Sequence, residues 1–241
     1  MHNRIRAISS ADLMTGTTHN VTIKMYNSLK GSYNVQEFYM TNTLYNVNSN
    51  NNKVYFNESS VLKTATLTNG YYTPSQLSSQ LQTQMNTSGG NTYTVTFDSN
   101  TYKYTISSTG NFGFQFATNT TASARKIIGY NLADKTEATS STSDNVIDLN
   151  PIKSIYIDFQ ADVRKDIEFS NNVVSLAIND TSDFGSIVRY KLNENYHQKL
   201  KFHYEKEVKF RFYDQDFNNI NLNGTDWYLT IKIDENEVED N

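Results

Sequence analysis

Asp214, Asp216 and Asn218 stand at the D-x-D-x-N spacing with which an EF-hand calcium loop opens. Such a loop needs Gly at its sixth position and a bidentate Glu at its twelfth, where this chain has Asn219 and Thr225. Strand-like rather than helical runs flank it, so these oxygens are expected to bond neighbouring backbone in a turn. His197 and His203 are six apart, which on a strand puts both imidazoles on one face, a spacing that could hold zinc or copper. No third ligand accompanies them, and Lys199, Lys201 and Glu205 around them read as an exposed, charged hairpin. No metal and no cofactor is expected.

Other chemistry is equally thin. Nucleophilic catalysis would need a Cys, of which there are 0, or a G-x-S-x-G elbow, which is missing. Asp158 with Asp162, and Asp166 with Glu168, have spacings open to acid–base work, but Asp/Glu pairs of this kind are common and nothing singles these out. A phosphate cradle would place a Gly-rich loop before a helix, whereas Gly89 and Gly90 follow one. Tyr102, Tyr104 and Trp227 could stack a sugar or a base, yet each lies in an alternating run where sheet packing is the plainer role. No catalytic residue is expected, and the chain reads as a non-enzyme.

The elements that carry these residues are nearly all strands. Val21 to Met25, Tyr33 to Met40, Lys53 to Asn57 and Val61 to Leu67 alternate with period two. One convincing helix interrupts them over about residues 74–86. Thr73 is its N-cap, Pro74 its first residue, Gln76 closes a capping box, and Leu77, Leu81 and Met85 make one apolar stripe. Tyr93 to Phe97 and Tyr102 to Ile106, joined by Asp98-Ser99-Asn100, form a hairpin, and Phe112 to Phe116 a further strand. Ala122 to Ile128 reads as a helical turn stopped by Gly129. Residues 132–150, poorest in apolar side chains, read as a surface loop or lobe boundary, after which β patterning resumes from Ile152 to Ile233.

At 241 residues the chain can bury a sizeable core, and an all-β sandwich of this length can be one domain. Its hydrophobic share of 37% lies below the globular norm of roughly 45–50%, while Tyr 17 and Phe 13 are numerous. Core area must therefore come from aromatics on strands. A formal net charge of −4 does not suggest a surface for nucleic acid or anionic membrane. No stretch approaches transmembrane length, no secretory signal opens the chain, and folding without disulfides suits the cytoplasm. Residues 1–20 read as an N-terminal arm, with Arg4, Ile5, Arg6, Ile8, Leu13 and Met14 as anchors for a neighbouring subunit.

Two segments carry a resemblance. Gly70-Tyr71-Tyr72-Thr73 leads through the Leu77 and Leu81 helix, the hairpin and Phe112 to Phe116 into Lys126-Ile127-Ile128-Gly129-Tyr130. The second is FRFYDQDFNNINLNGTDWYLTIKID, residues 210–234. This succession resembles the penton and minor capsid proteins of virophages and related large double-stranded DNA viruses, over about two thirds of the chain. The resemblance implies a single jelly-roll β-sandwich over residues 21–241, with the short helix inserted. It implies a structural subunit, a homopentamer at the fivefold vertex of an icosahedral virion. Its partners would be the major capsid protein and other minor capsid proteins, and it would fold in a virus factory of the host cytoplasm. The family's double jelly-roll major capsid proteins are considerably longer, so this length points to the penton type. No site residue carries over, because the shared pattern is structural. The alternative is a glycan-binding or attachment module of the same β-sandwich class.

Overall fold

In the computed structural model, residues 3–9, 15–17, 20–160, 173–177, 183–191 and 200–234 are described, with side chains described at 7, 9, 36–158, 183–191 and 209–232. The elements are β1 (Asn3–Ser9), β2 (Thr15–Thr17), β3 (Asn20–Thr41), β4 (Lys53–Glu58), β5 (Val61–Thr66), α1 (Pro74–Ser88), β6 (Tyr93–Asp98), β7 (Lys103–Phe114), β8 (Ala138–Thr142), β9 (Ser154–Gln160), β10 (Val173–Ala177), β11 (Ile187–Lys191), β12 (Leu200–Tyr213) and β13 (Trp227–Asp234). The fold is all-β with one short helix, and every ladder between these strands is antiparallel. Two compact units divide the chain: Met1–Leu44 with Ile152–Asn241, and Tyr45–Pro151, which is inserted between β3 and β9. The boundaries thus fall at 44/45 and 151/152, rather than within 132–150. That stretch is poor in apolar residues because it carries an edge strand: Ser140, Ser141 and Thr142 of β8 pair with Ser107, Ile106 and Thr105 of β7.

In the first unit an eight-stranded sheet runs β1-β13-β3-β12-β9-β10, with β2 and β11 also on β3. The two separate strands expected around Val21 and Tyr33 are one strand of 22 residues. Arg211 of β12 pairs with Asn20 at the start of β3, yet the Phe212 ring lies 5.9 Å from Phe38 near its end. A straight strand would put those ends roughly 60 Å apart at about 3.3 Å per residue. β3 therefore doubles back, and the sheet closes over itself as two layers. The bend falls at 24–31, where pairing with β12 loses register between Phe202 and Glu205 and again between Glu205 and Glu207, as bulges do when a strand turns a corner. Between the layers Trp227 contacts both Phe210 at 5.1 Å and Phe212 at 5.2 Å, with Met40, Ile155, Ile157, Val188 and Leu229 buried around them.

The N-terminal arm expected over residues 1–20 differs most. Asn3–Ser9 pairs along the whole of β13, from Asn3↔Asp234 to Ser9↔Tyr228, and Thr15–Thr17 pairs with β3. An edge strand is held by main-chain hydrogen bonds, which need no apolar period in the sequence.

The second unit packs α1 against a five-stranded sheet, order β5-β4-β7-β6 with β8 also on β7. Thr73 caps the helix as expected: its Oγ1 accepts the Gln76 N–H, while its own N–H donates to Gln76 Oε1 at 2.9 Å. Leu77, Leu81 and Met85 are fully buried. The helix also finishes the sheet edge. Asn86 bonds both backbone groups of Tyr93, at 2.6 and 3.1 Å, and Gln82 accepts the Val95 N–H at 2.9 Å. Phe112 to Phe116 is no separate strand: β7 runs on through Phe114, and an aromatic core of Phe56, Tyr93, Phe112, Phe114, Phe116 and Tyr130 forms around it. The buried tyrosines of this unit place their hydroxyls: Tyr55 on the Thr121 carbonyl, Tyr93 on Glu58, Tyr104 on the Pro74 carbonyl, Tyr130 on the Ser141 carbonyl. The helical turn before Gly129 closes as a Schellman motif. Tyr130 N–H donates to Arg125 O, Gly129 N–H to Lys126 O, and Gly129 has φ +79°.

Leu81→Ala is expected to cost about 2–5 kcal/mol, the range for emptying a buried leucine site. Chemical denaturation reads this, and an unchanged midpoint would refute the packing of α1. A second prediction concerns acid. Burial works to raise the Glu58 carboxyl, but N–H donors of Gly90 and Asn91 and the Tyr93 hydroxyl outweigh it and hold the group below the usual carboxylate range. Asp98, Asp134 and Asp144 are lowered too, Asp98 chiefly by Thr101, Asp134 by Thr118, and Asp144 by Asn131 and Lys135 against its burial. A carboxyl depressed in the folded state stabilises above its unfolded pKa and loses that contribution as pH falls through the folded value. Melting temperature should stay level from about pH 7 to 5 and drop below about pH 4. Glu58→Gln should lower the plateau and make the acid drop shallower; a wild-type curve flat to pH 3 would overturn this.

Candidate functional site

Among the described residues of the first unit, an exposed grouping of aromatic, aliphatic and charged side chains lies on the outer face of the C-terminal half of β3. Here β11 borders one edge of β3 and β13 the other, with Met40 opposite both Val188 and Trp227. All three are buried, so alternation turns their neighbours outward: Tyr39 stands in register with Arg189 and with Tyr228. The Tyr39 hydroxyl donates to Glu37 Oε2 at 2.5 Å, and Arg189 reaches Glu37 Oε1 at 2.9 Å. The guanidinium also lies 5.2 Å from the centroid of the Tyr39 ring. The Tyr39 hydrogen bond, then Arg189, holds the Glu37 carboxyl below its ordinary value, and the same Glu37 bond raises the Tyr39 phenol. This exposed ion pair contributes little stability alone. Both Glu37 oxygens are thus engaged by neighbours on the same face. Ile187 at 69% exposure, Tyr228 at 53% and Phe184 at 40% add apolar area on and beside this face.

The expected anchors sit beside it. Arg4, Ile5, Arg6 and Ile8 are all in β1, opposite Ile233, Lys232, Ile231 and Leu229. Leu13 and Met14 lie outside the described residues. β1 thus extends the β11-β3-β13 layer by one strand, and Ser9 continues the Arg189, Tyr39, Tyr228 row.

The remaining candidates separate cleanly. Asp214 Oδ1 accepts the N–H groups of Asp216 and Asn218, each at 2.9 Å, and the Asn218 side chain bonds both carboxylate oxygens, the local turn expected from the sequence. Among the described residues no group of three or more His, Cys, Asp or Glu side chains is placed to hold a metal ion. His197 lies outside the described residues, and His203 falls in β12 with its side chain outside them. Asp162, Asp166 and Glu168 also lie outside the described residues, while Asp158 is fully buried on β9, in register with Arg211. Gly90 and Asn91 do cradle an anion, but it is the chain's own Glu58. Tyr104 and Trp227 are core residues; Tyr102 is half-exposed at the β6–β7 turn with φ +57°, edge-on to Phe97 at 5.2 Å. Sequence reading missed Glu37, Tyr39 and Arg189, which only strand register brings together. An acidic and an aromatic residue two apart on one strand face is the faint signal they leave.

Chelation tests the turn. Excess EDTA should leave the melting temperature unchanged, and a drop of several degrees restored by calcium would make the Asp214 loop an ion site.

Comparison with protein-family models and with curated proteins returns no match for this chain.

Proposed function

We propose that this protein is a structural capsid subunit of the penton type, a single jelly roll that assembles as a homopentamer at the fivefold vertex of an icosahedral virion. The observation that carries this reading is the long-range antiparallel sheet of the first unit. Its N-terminal strand pairs with its C-terminal strand, and β3 pairs with β12 and β13 from the far end of the chain. A jelly roll demands such pairing across long sequence distances, and the resemblance of residues 210–234 falls on β12 and β13. The exposed Ile187, Tyr228 and Phe184 around the Glu37–Arg189 pair are apolar area of the kind a subunit interface would cover. The partners are further copies of the chain, the major capsid protein and other minor capsid proteins, in the virion after folding in the host cytoplasm. The role is structural rather than catalytic, with no cofactor, no specific nucleic acid and no insertion into a membrane. Among the described residues no helix is long and apolar enough to cross one.

A second reading rests on Tyr102, half-exposed beside Ser99, Asn100 and Thr101 at a hairpin tip. An aromatic face among hydroxyl and amide groups is a stacking platform for a sugar, which would make the chain a glycan-binding or attachment module. Size-exclusion chromatography with light scattering separates the two. A mass five times that of the 27.6 kDa chain is expected for the vertex subunit. A monomer at every concentration that binds a glycan array, and loses binding in Tyr102→Ala, would replace it with the module.

A further inference from the structure

We propose that the two open sheet edges of the inserted unit pair between copies of this chain, β5 of one subunit against β8 of the next. The contact deepens the reading of the protein as an assembling subunit and rests on it only in requiring that copies meet. The sheet's own hydrogen bonds show where it is closed. Strand β6 turns the backbone of Tyr93 and Val95 away from β7, and Asn86 and Gln82 of α1 take up both groups of Tyr93 and the N–H of Val95. Strand β4 turns Lys53 and Tyr55 away from β5, and these too find partners. Lys53 N–H donates to Ala122 O at 2.8 Å, Ala124 N–H to Lys53 O at 2.7 Å, and Gln115 N–H to Tyr55 O at 2.9 Å.

β5 and β8 have no such closure. The β4–β5 turn has two residues, Ser59 and Ser60, so Glu58 and Val61 bond each other across its base, and alternate residues beyond them point their main chain away from β4. Those residues are Leu62, Thr64 and Thr66. All three are exposed, and among the described residues nothing bonds their outward N–H and C=O groups. In β8, Ser143 N–H donates to Tyr104 O at 2.9 Å, so by alternation Ser141 faces β7 while Ser140 and Thr142 face outward. Both are exposed, and their main chain is likewise unbonded among the described residues. β5 also exposes Val61 at 57% and Leu62 at 48%. It carries neither Pro nor bulge, two of the devices that keep a solitary edge from pairing.

Two open edges on one sheet decide the form of the contact. Pairing β5 with the β5 of a second copy is isologous and leaves both β8 edges open, whereas β5 against β8 uses one of each at every contact. Repeated about a rotation axis, the second form closes a ring with neither edge left over. It brings a neighbouring strand alongside Val61 and Leu62, and the hydrogen bonds it makes are those of any β-ladder. Charge does not oppose it. Residues 45–151 hold six Lys and Arg against six Asp and Glu, so the unit does not repel a copy of itself.

Proline at an outward position removes one N–H from the open edge and none from the ladder inside. Thr64→Pro therefore blocks β5 and Ser140→Pro blocks β8. Leu62→Lys and Ser140→Lys replace them if circular dichroism or the melting temperature shows that a proline disturbs the fold. Each full-length protein is read at high concentration by size-exclusion chromatography with light scattering. The wild type should be a multimer of the 27.6 kDa chain and each single-edge variant a monomer. An equimolar mixture of the two variants should give a dimer of twice the chain mass and nothing larger, because one intact β5 meets one intact β8. A β8-blocked variant that dimerises alone shows β5 pairing with itself and overturns the proposal, as does a mixture that stays monomeric. Variants that assemble like the wild type overturn it too and leave the assembly reading standing. A wild type that is monomeric at every concentration overturns both.

Discussion

A strand of 22 residues is longer than the domain that contains it. Extended, β3 would span roughly 70 Å, while a compact unit of some 130 residues has a radius of gyration near 14 Å. The rest of the first unit follows from how the strand resolves this. Bulges in the 24–31 region bend it, its halves face each other, and each half recruits its own neighbours: β2, with β12 leading to β9 and β10, at the start; β11 and β13 with β1 at the end. Trp227, Phe210 and Phe212 are the material that fills the fold-over, since aromatic rings bridge two sheet layers about 10 Å apart where shorter aliphatics would leave gaps. The low apolar share and high aromatic content are thus matched to the architecture.

Edges are the second constraint on a β protein. In the inserted unit the helix answers it chemically as well as sterically. Its apolar stripe, Leu77, Leu81 and Met85, faces the core, and its polar side chains Gln82 and Asn86 take up backbone groups of β6 that would otherwise stay open to another strand. One helix of fifteen residues therefore both supplies core and ends the sheet.

What was legible in the sequence depended on how local its cause was. The capped helix, the β6–β7 hairpin and the Asp214 turn are set by residues within a few positions of each other, and each was found where expected. β4 and β5 were found from alternation alone, because their turn uses Ser59 and Ser60, both at positive φ, in place of the usual Asn-Gly. The continuity of β3 and β7, the strand status of Asn3–Ser9 and the division of the chain into two units were not legible. Each is decided by a partner more than a hundred residues away, or by a bend that interrupts periodicity without ending the strand. The Glu37, Tyr39 and Arg189 grouping failed for the same reason, since 152 positions separate Glu37 from Arg189.

The acidic residues show how structure and chemistry compete for the same groups. A general base needs a carboxyl with a free oxygen and a pKa drawn toward the working pH. Glu37, Glu58, Asp98, Asp134 and Asp144 have the opposite character. Each is lowered, and each spends its oxygens on neighbouring donors: backbone N–H at Gly90, Asn91, Asn100, Ala117, Thr118 and Asn131, a phenol at Tyr39, a cation at Lys135 or Arg189. A chain nearly free of proline and sparing of glycine must find turn-stabilising groups elsewhere, and Asp and Glu side chains that accept backbone N–H groups are the substitute it uses. Glu58, Asp98, Asp134 and Asp144 therefore do for the loops what the aromatic rings do for the layers, fixing geometry, and acid weakens the loops by removing the charge that holds them.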